Sequence, residues 1–151
     1  MFSTVEIEKE FESLANRIKA EYEKYFINAG ISFHKNMVLK NGFTTFISLA
    51  KNDHEDLWLK RSKDPLYSFF VIHKLGPDEF KIYPGSFSFH VAGITPELEG
   101  INIEIPFPVL VGTEEQIINH FSGVCQTATE VIKSNQHRFI NSSFNIMEKI
   151  R

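Results

Sequence analysis

Three histidines could supply acid–base chemistry. His34, His73 and His90 all fall in segments whose alternating pattern predicts β-strands. Imidazole titrates near neutral pH, so two histidines facing one cleft could act as general acid and general base in phosphodiester cleavage. Whether they share a cleft depends on the strand order, which the sequence does not give. A hydrolase or small-ligand binder that combines these histidines with a phenylalanine-lined groove is one hypothesis for this protein.

Other reactive side chains give weaker indications. Residues 53–56 place three carboxylates and one imidazole side by side, but adjacent residues rarely converge on one ion, and oxygen-rich metal sites usually occupy glycine-containing loops. Cys125 lies in the middle of a predicted helix, where an apolar environment disfavours a reactive thiolate. The sequence also lacks a P-loop, a GxSxG or HExxH motif and paired CxxC motifs. We therefore predict a buried thiol, no metal and no cofactor.

Charge gives the sharpest functional indication. Residues 82–132 contain no Lys or Arg but contain several glutamates. A surface of one sign attracts partners of the opposite sign. Glu114 and Glu115 open a predicted helix, where carboxylates stabilise the helix dipole whatever the function, and Glu130 stands alone near the end of that helix. The remaining candidates for a recognition patch are Glu97, Glu99 and Glu104.

A polar segment supplies further candidate contact residues. The segment 51–65 is too polar for a core strand and predicts a long loop that holds Trp58, the only tryptophan. Amphipathic aromatic residues on loops are favoured in interfaces, although Trp58 could instead fold back over the sheet edge. We place it in the candidate binding surface together with the acidic residues of the same segment, Asp53, Glu55 and Asp56.

Composition narrows the class of partner. The net charge of −3 and the pI near 6.1 provide no basic stripe for nucleic acid. No stretch approaches the ~20 apolar residues that span a bilayer, the N-terminus does not resemble a secretory signal, and a single cysteine gives no sign of an oxidising compartment. We expect a cytoplasmic, non-enzymatic module that binds a basic protein. Immunity proteins that neutralise nuclease-type toxins are a functional class with these properties.

The elements that would position these residues form one predicted domain covering residues 1–151. Ser3 and Glu6 make a capping box for a first helix, and Thr113 and Gln116 make one for a later helix. Between them, alternating patterns predict strands over 31–40, 43–51, 66–75, 79–83, 86–92 and 101–105. The sum is an α+β fold: an N-terminal helix, five to six mainly antiparallel strands in one sheet, and one or two C-terminal helices packed on it.

One turn in this sheet is specified in detail. Asn41-Gly42 predicts a two-residue type I′ turn. That turn would make Met37 face Phe46, Leu39 face Thr44 and Phe33 face Ala50.

Overall fold

The computed structural model describes residues 2–27, 29–50, 66–91, 101–139 and 146–151. Its order is helix, sheet, helix: α1 (Thr4–Tyr25), β1 (Gly30–Leu39), β2 (Gly42–Ala50), β3 (Leu66–Gly76), β4 (Glu79–Val91), β5 (Ile101–Glu104), β6 (Leu110–Gly112) and α2 (Glu114–Ser134). Two short 3₁₀ helices follow at Gln136–Phe139 and Ile146–Lys149. The predicted α+β class is confirmed.

Both helices begin where the capping boxes predict. Ser3 Oγ accepts from the Glu6 N–H while the Glu6 carboxylate accepts from the Ser3 N–H, and Thr113 and Gln116 repeat this exchange. Each box satisfies two backbone donors that the first helical turn leaves unpaired. Within the described residues, neither helix is long and apolar enough to cross a membrane.

The strands form one antiparallel sheet in the order β1-β2-β3-β4-β5, with β6 also pairing with β4. β4 is the long strand: one half pairs with β5 and the other with β6. It replaces two predicted strands, because Pro84-Gly85 forms a bulge inside one strand rather than a break. The Phe69 ring lies across Gly85, 2.2 Å from where a Cβ would stand, so any larger residue would have to displace this ring.

The predicted register of the first hairpin is wrong by two residues. Met37 faces Thr44 and Leu39 faces Gly42, so the loop is Lys40-Asn41. Gly42 is already in β2, with a φ of 146° and with the Lys74 carbonyl 2.0 Å from where a Cβ would stand. The close approach of β3, rather than the turn, is what requires glycine at this position.

A β-bulge places Phe33 on the face of the sheet opposite to the predicted one. The register shifts between Phe33 and Lys35, and Phe33 faces Ile47 instead of Ala50. Because side chains alternate along a strand, the extra residue, His34, moves Phe33 to the opposite face of the sheet.

Both helices cover the same face of the sheet, which we call the helix-covered face. Its core contains Ile47, Phe70, Ile72, Phe87 and Phe89 from the strands. From the helices it receives side chains spaced mainly three and four residues apart, including Ile7, Phe11, Leu14, Ile18, Tyr22, Ile117, Phe121, Val124, Cys125, Ala128 and Ile132. Phenylalanine rings fill the space between sheet and helices, which explains the high phenylalanine content.

The C-terminal residues close the same core. The Phe139 ring packs edge-on against Phe89, with centroids 5.3 Å apart. Ile150 forms a bridge with Phe26, and the Arg151 N–H donates to the Tyr25 carbonyl at 2.9 Å. In the described part of residues 136–151, the predicted last helix is replaced by two 3₁₀ turns.

Candidate functional site

The predicted recognition residues attach to one end of the sheet. Segment 51–65 leaves β2 at Ala50 and enters β3 at Leu66, and segment 92–100 leaves β4 at Val91 and enters β5 at Ile101. The register places these four residues at the same end, because Leu49 faces Ser68, Leu66 faces Phe89 and Val91 faces Ile101. Asp53, Glu55, Asp56, Trp58, Glu97 and Glu99 lie on these segments, outside the described residues.

Glu104 is the described member of the predicted acidic patch. It faces Ser88 on β4, and its side chain is exposed. The Asn102 amide donates to its Oε1 at 3.1 Å. An amide carries no charge, so this bond orients the carboxylate without neutralising it. Glu104 is therefore available to a cationic group on a partner.

Glu114 and Glu115 have a structural partner instead. Arg17 on α1 contacts Glu114 at 2.8 Å and Glu115 at 2.7 Å. Hydrogen bonds to Glu115 and Glu114 raise the pKa of Arg17, and the same guanidinium lowers the pKa of Glu115. This cluster joins the two helices and partly neutralises the charge of both carboxylates.

The strand histidines do not form an acid–base pair. His34 and His73 both lie on the face of the sheet opposite the helices, which we call the helix-free face. His34 contacts Ser48 and His73 faces Thr44, and these β2 residues are four positions apart, about 13 Å along the strand. Ser48 faces Phe69 on β3, and Phe69 in turn faces Ser86 on β4. His90 is four positions along β4 from Ser86, again about 13 Å along the strand direction. Such separations exceed the reach of two groups acting on one bond.

His34 and Ser48 are nevertheless close to each other. The His34 Nε2 and the Ser48 Oγ are 2.7 Å apart, within the range of a nucleophile and its base. Ser48, however, has no exposed surface. A buried hydroxyl cannot reach a substrate, so we interpret the contact as a structural hydrogen bond.

Cys125 is buried on α2, as predicted. Burial and the Glu21 carboxylate both raise the pKa of its thiol far above the ordinary value, so the reactive thiolate is strongly disfavoured. In the described ranges, no three His, Cys, Asp or Glu side chains are grouped closely enough to hold a metal ion. The metal candidate at 53–56 lies outside those ranges.

The helix-free face carries aromatic pairs that the sequence did not identify as a surface. Phe46 and Phe69 stack with centroids 5.8 Å apart, and His73 packs edge-on against Tyr83 at 5.2 Å. The Lys81 ammonium lies 4.8 Å from the centre of the Tyr83 ring. All five side chains keep partial exposure. Cross-strand pairing brings them together, and only the strand order reveals it.

A second feature missed from the sequence is a groove between α1 and β1. It has a volume of about 410 Å³ and is lined by Val5, Glu8, Lys9, Glu12, Asn16, Ile31 and Phe33. Ile31 and Phe33, on the edge strand, stay partly exposed where they line this groove, unlike the fully buried core residues of the neighbouring strands.

Comparisons of the chain with protein-family models, with curated proteins and with solved structures gave no match.

Proposed function

We propose that this protein is a non-enzymatic binding module, a cytosolic inhibitor of the immunity type, that neutralises a basic, nuclease-like protein through an acidic surface. The observation that carries the proposal is topological. Two segments about 40 residues apart in the chain, both of which hold candidate contact residues, connect at one end of the sheet. Loops that share one end of a rigid scaffold are a common way to build a binding surface.

The local charge balance distinguishes Glu104 from the carboxylates that are paired where the helices meet each other and the sheet. Glu114 and Glu115 share the Arg17 guanidinium, and Glu10 pairs with Lys74 at 2.8 Å. Glu104, in contrast, contacts only a neutral amide in the described part of the chain. An exposed carboxylate with no cation beside it contributes fully to the field that steers a basic partner.

The reactive groups also favour binding over catalysis. His34 and His73 are too far apart to act together, Ser48 is inaccessible, and Cys125 is held as a neutral thiol. A protein that acts by occupying its partner needs none of these chemistries.

Partner capture with three matched proteins tests the proposal. The wild type, a triple variant with Glu97→Lys, Glu99→Lys and Glu104→Lys, and a control with Glu79→Lys are used as baits. Glu79 is exposed where β3 turns into β4, at the opposite end of the sheet. We expect one basic protein to be retained by the wild type and the control and to be lost by the triple variant.

Kinetics then separate a steered complex from other modes of binding. For the captured protein, the association rate should fall as ionic strength rises, and the triple variant should associate more slowly even at low salt. A partner that binds all three baits equally, or an association rate that is insensitive to salt, would contradict the proposal and would favour the apolar-groove hypothesis.

A further inference from the structure

The groove between α1 and β1 has the construction of a peptide-binding site. One wall is the N-terminal half of α1, and the other is β1, the first strand of the sheet. α1 runs antiparallel to β1, since Glu8 lies beside Asn36 while Asn16 and Ile31 line the same groove. A helix lying beside an edge strand leaves a channel that an extended chain can enter.

The backbone of β1 supplies the first requirement for such a chain. Among the strands that the structure describes, β1 has a neighbour on one side only. An edge strand can accept a further strand through main-chain hydrogen bonds, and this is a recurring mode of peptide recognition. The bulge at His34 and the exposed Lys35 interrupt the edge, which limits main-chain pairing to the portion from Gly30 to Phe33. The rest of a docked segment would continue along the groove beside α1, towards Glu8 and Val5.

The floor of the groove supplies apolar contacts. Ile31 and Phe33 are only partly buried although they point to the same face as the core. Val5, on the facing turn of α1, is 61% exposed. These side chains form an apolar lining that the helix does not cover and that an apolar side chain of a docked strand would bury.

The helix wall supplies the charge. Glu8 and Glu12 are one turn apart, about 6 Å along the axis, close to the ~6.7 Å between alternate residues of a strand. Glu12 is exposed and has no ion pair among the described residues, while Glu8 is oriented by the Asn36 amide at 3.3 Å. Lys9 lies between them and leaves the wall with a net negative charge.

We infer that this groove binds an extended segment of a partner protein, in which apolar residues and Lys or Arg alternate, as an added strand on β1. The apolar side chains contact Ile31, Phe33 and Val5, and the cations contact Glu8 and Glu12. The site lies at the edge opposite Glu104 and is lined by residues other than those of the proposed acidic surface.

A second copy of the chain would complement the groove less well. On the helix-covered face, β1 presents Ile31, Phe33, Asn36 and Val38, whereas Lys35 lies on the other face. A β1–β1 pairing would therefore bring no cation to Glu8 or Glu12. This favours a different chain as the occupant.

Titration of the full chain with short synthetic peptides tests the inference. The probe is a peptide in which valine and lysine alternate. One control replaces lysine with glutamate, and another carries N-methyl groups on alternate amides and cannot extend a sheet. Amide resonances of residues 5–16 and 30–33 should shift with the valine–lysine peptide alone. The double variant Glu8→Lys with Glu12→Lys should bind roughly tenfold more weakly, Lys9→Ala should bind more tightly, and Glu130→Lys should match the wild type.

Several results would overturn the inference. Equal binding of the N-methylated peptide would exclude an added strand, and equal binding of the valine–glutamate peptide would exclude charge recognition. Resonance shifts confined to other residues would place the peptide elsewhere. Concentration-dependent dimerisation in sedimentation that the valine–lysine peptide suppresses would identify a second copy as the occupant.

Discussion

The two faces of the sheet are made by the same strands but are stabilised differently. On the helix-covered face, Phe70 and Phe89 have no exposed surface and lie in a continuous apolar core. On the helix-free face, Phe46, Phe69 and Tyr83 pair with neighbours across strands and stay partly exposed. The helix-free face also contains hydroxyl groups, of which Ser48 and Ser88 are fully buried.

This difference concentrates stability on one face of the sheet. Burial of apolar side chains between sheet and helices supplies most of the folding free energy of such a layer. Residues on the helix-free face contribute through pairwise contacts, each worth about 0.2–1 kcal/mol. Substitutions on the helix-free face should therefore cost less stability than substitutions in the helix-covered core.

The largest expected effect on stability comes from replacing one phenylalanine on each face with alanine. The Phe70 ring contacts the rings of Phe87, Phe107 and Phe121, and Phe70→Ala should lower the free energy of unfolding by about 3–5 kcal/mol, because it leaves a cavity in the core. Phe46→Ala removes a partly exposed ring and should cost about 1–2 kcal/mol. Urea unfolding of both variants measures the difference, and equal losses would show that the helix-free face is packed as a second core.

A smaller effect tests how rigid the helix-free face is. Gly85→Ala places a methyl group against the Phe69 ring, which must move away from Phe46, and overpacking of this kind should cost about 1–3 kcal/mol. Gly123→Ala is the matched control, since nothing lies within 4 Å of its added Cβ on exposed α2, and it should stabilise by up to about 1 kcal/mol. If Gly85→Ala unfolds at the wild-type urea concentration, the Phe69 ring is loosely held.

Alanine substitutions of two buried serines should change the stability of the protein in opposite directions. Ser68 Oγ, on the helix-covered face, has no hydrogen-bond partner within the described residues, so Ser68→Ala should stabilise the protein by about 1 kcal/mol. Ser48 contacts His34 on the helix-free face, and Ser48→Ala should destabilise by about 1–2 kcal/mol. Thermal unfolding at one pH compares them, and a loss of stability in both variants would mean that Ser68 has a partner such as a buried water.

Local patterns predicted the elements because each signal acts over a few residues. The capping boxes at Ser3 and Thr113 fixed two helix starts, and the spacing of Ile7, Phe11 and Leu14 fixed the buried stripe of α1. Strict alternation likewise placed Phe87 and Phe89 in the core. These inferences need only helix and strand geometry, which adjacent residues determine.

The strand register and the composition of the exposed surface could not be predicted from local patterns, because both depend on contacts between residues that are distant in the chain. Gly42 was interpreted as a turn residue, but the Lys74 carbonyl, far along the chain, explains the glycine. The bulge at His34 moved Phe33 to the other face, and Ser88, expected to be solvated, is buried. The candidate patch was predictable to the same extent. The alternating pattern is enough to predict that Glu104 is exposed, but only the strand order shows that the two acidic segments leave the sheet at the same end.

The smallest effect concerns the charge of the helix-free face. Burial, and then the nearby Lys81, lower the pKa of His73 from its ordinary value near 6.5. The unfolded chain therefore takes up this proton first, and the His73 contribution to stability is complete above pH 6.5 and is lost as the pH falls through the lower folded pKa. His73→Gln should flatten the stability profile in this window.

Proton NMR titration of His73 checks the cause directly. Lys81→Met should raise the pKa of His73 because a neighbouring positive charge disfavours the imidazolium. Lys35→Met, an exposed position on β1 two strands away, should leave the pKa nearly unchanged because solvent and salt screen the more distant charge. A His73 pKa that responds equally to both lysines would mean that the field of the whole face, rather than the contact between adjacent strands, controls this histidine. The helix-free face would then act as one electrostatic surface instead of a set of separate pairs.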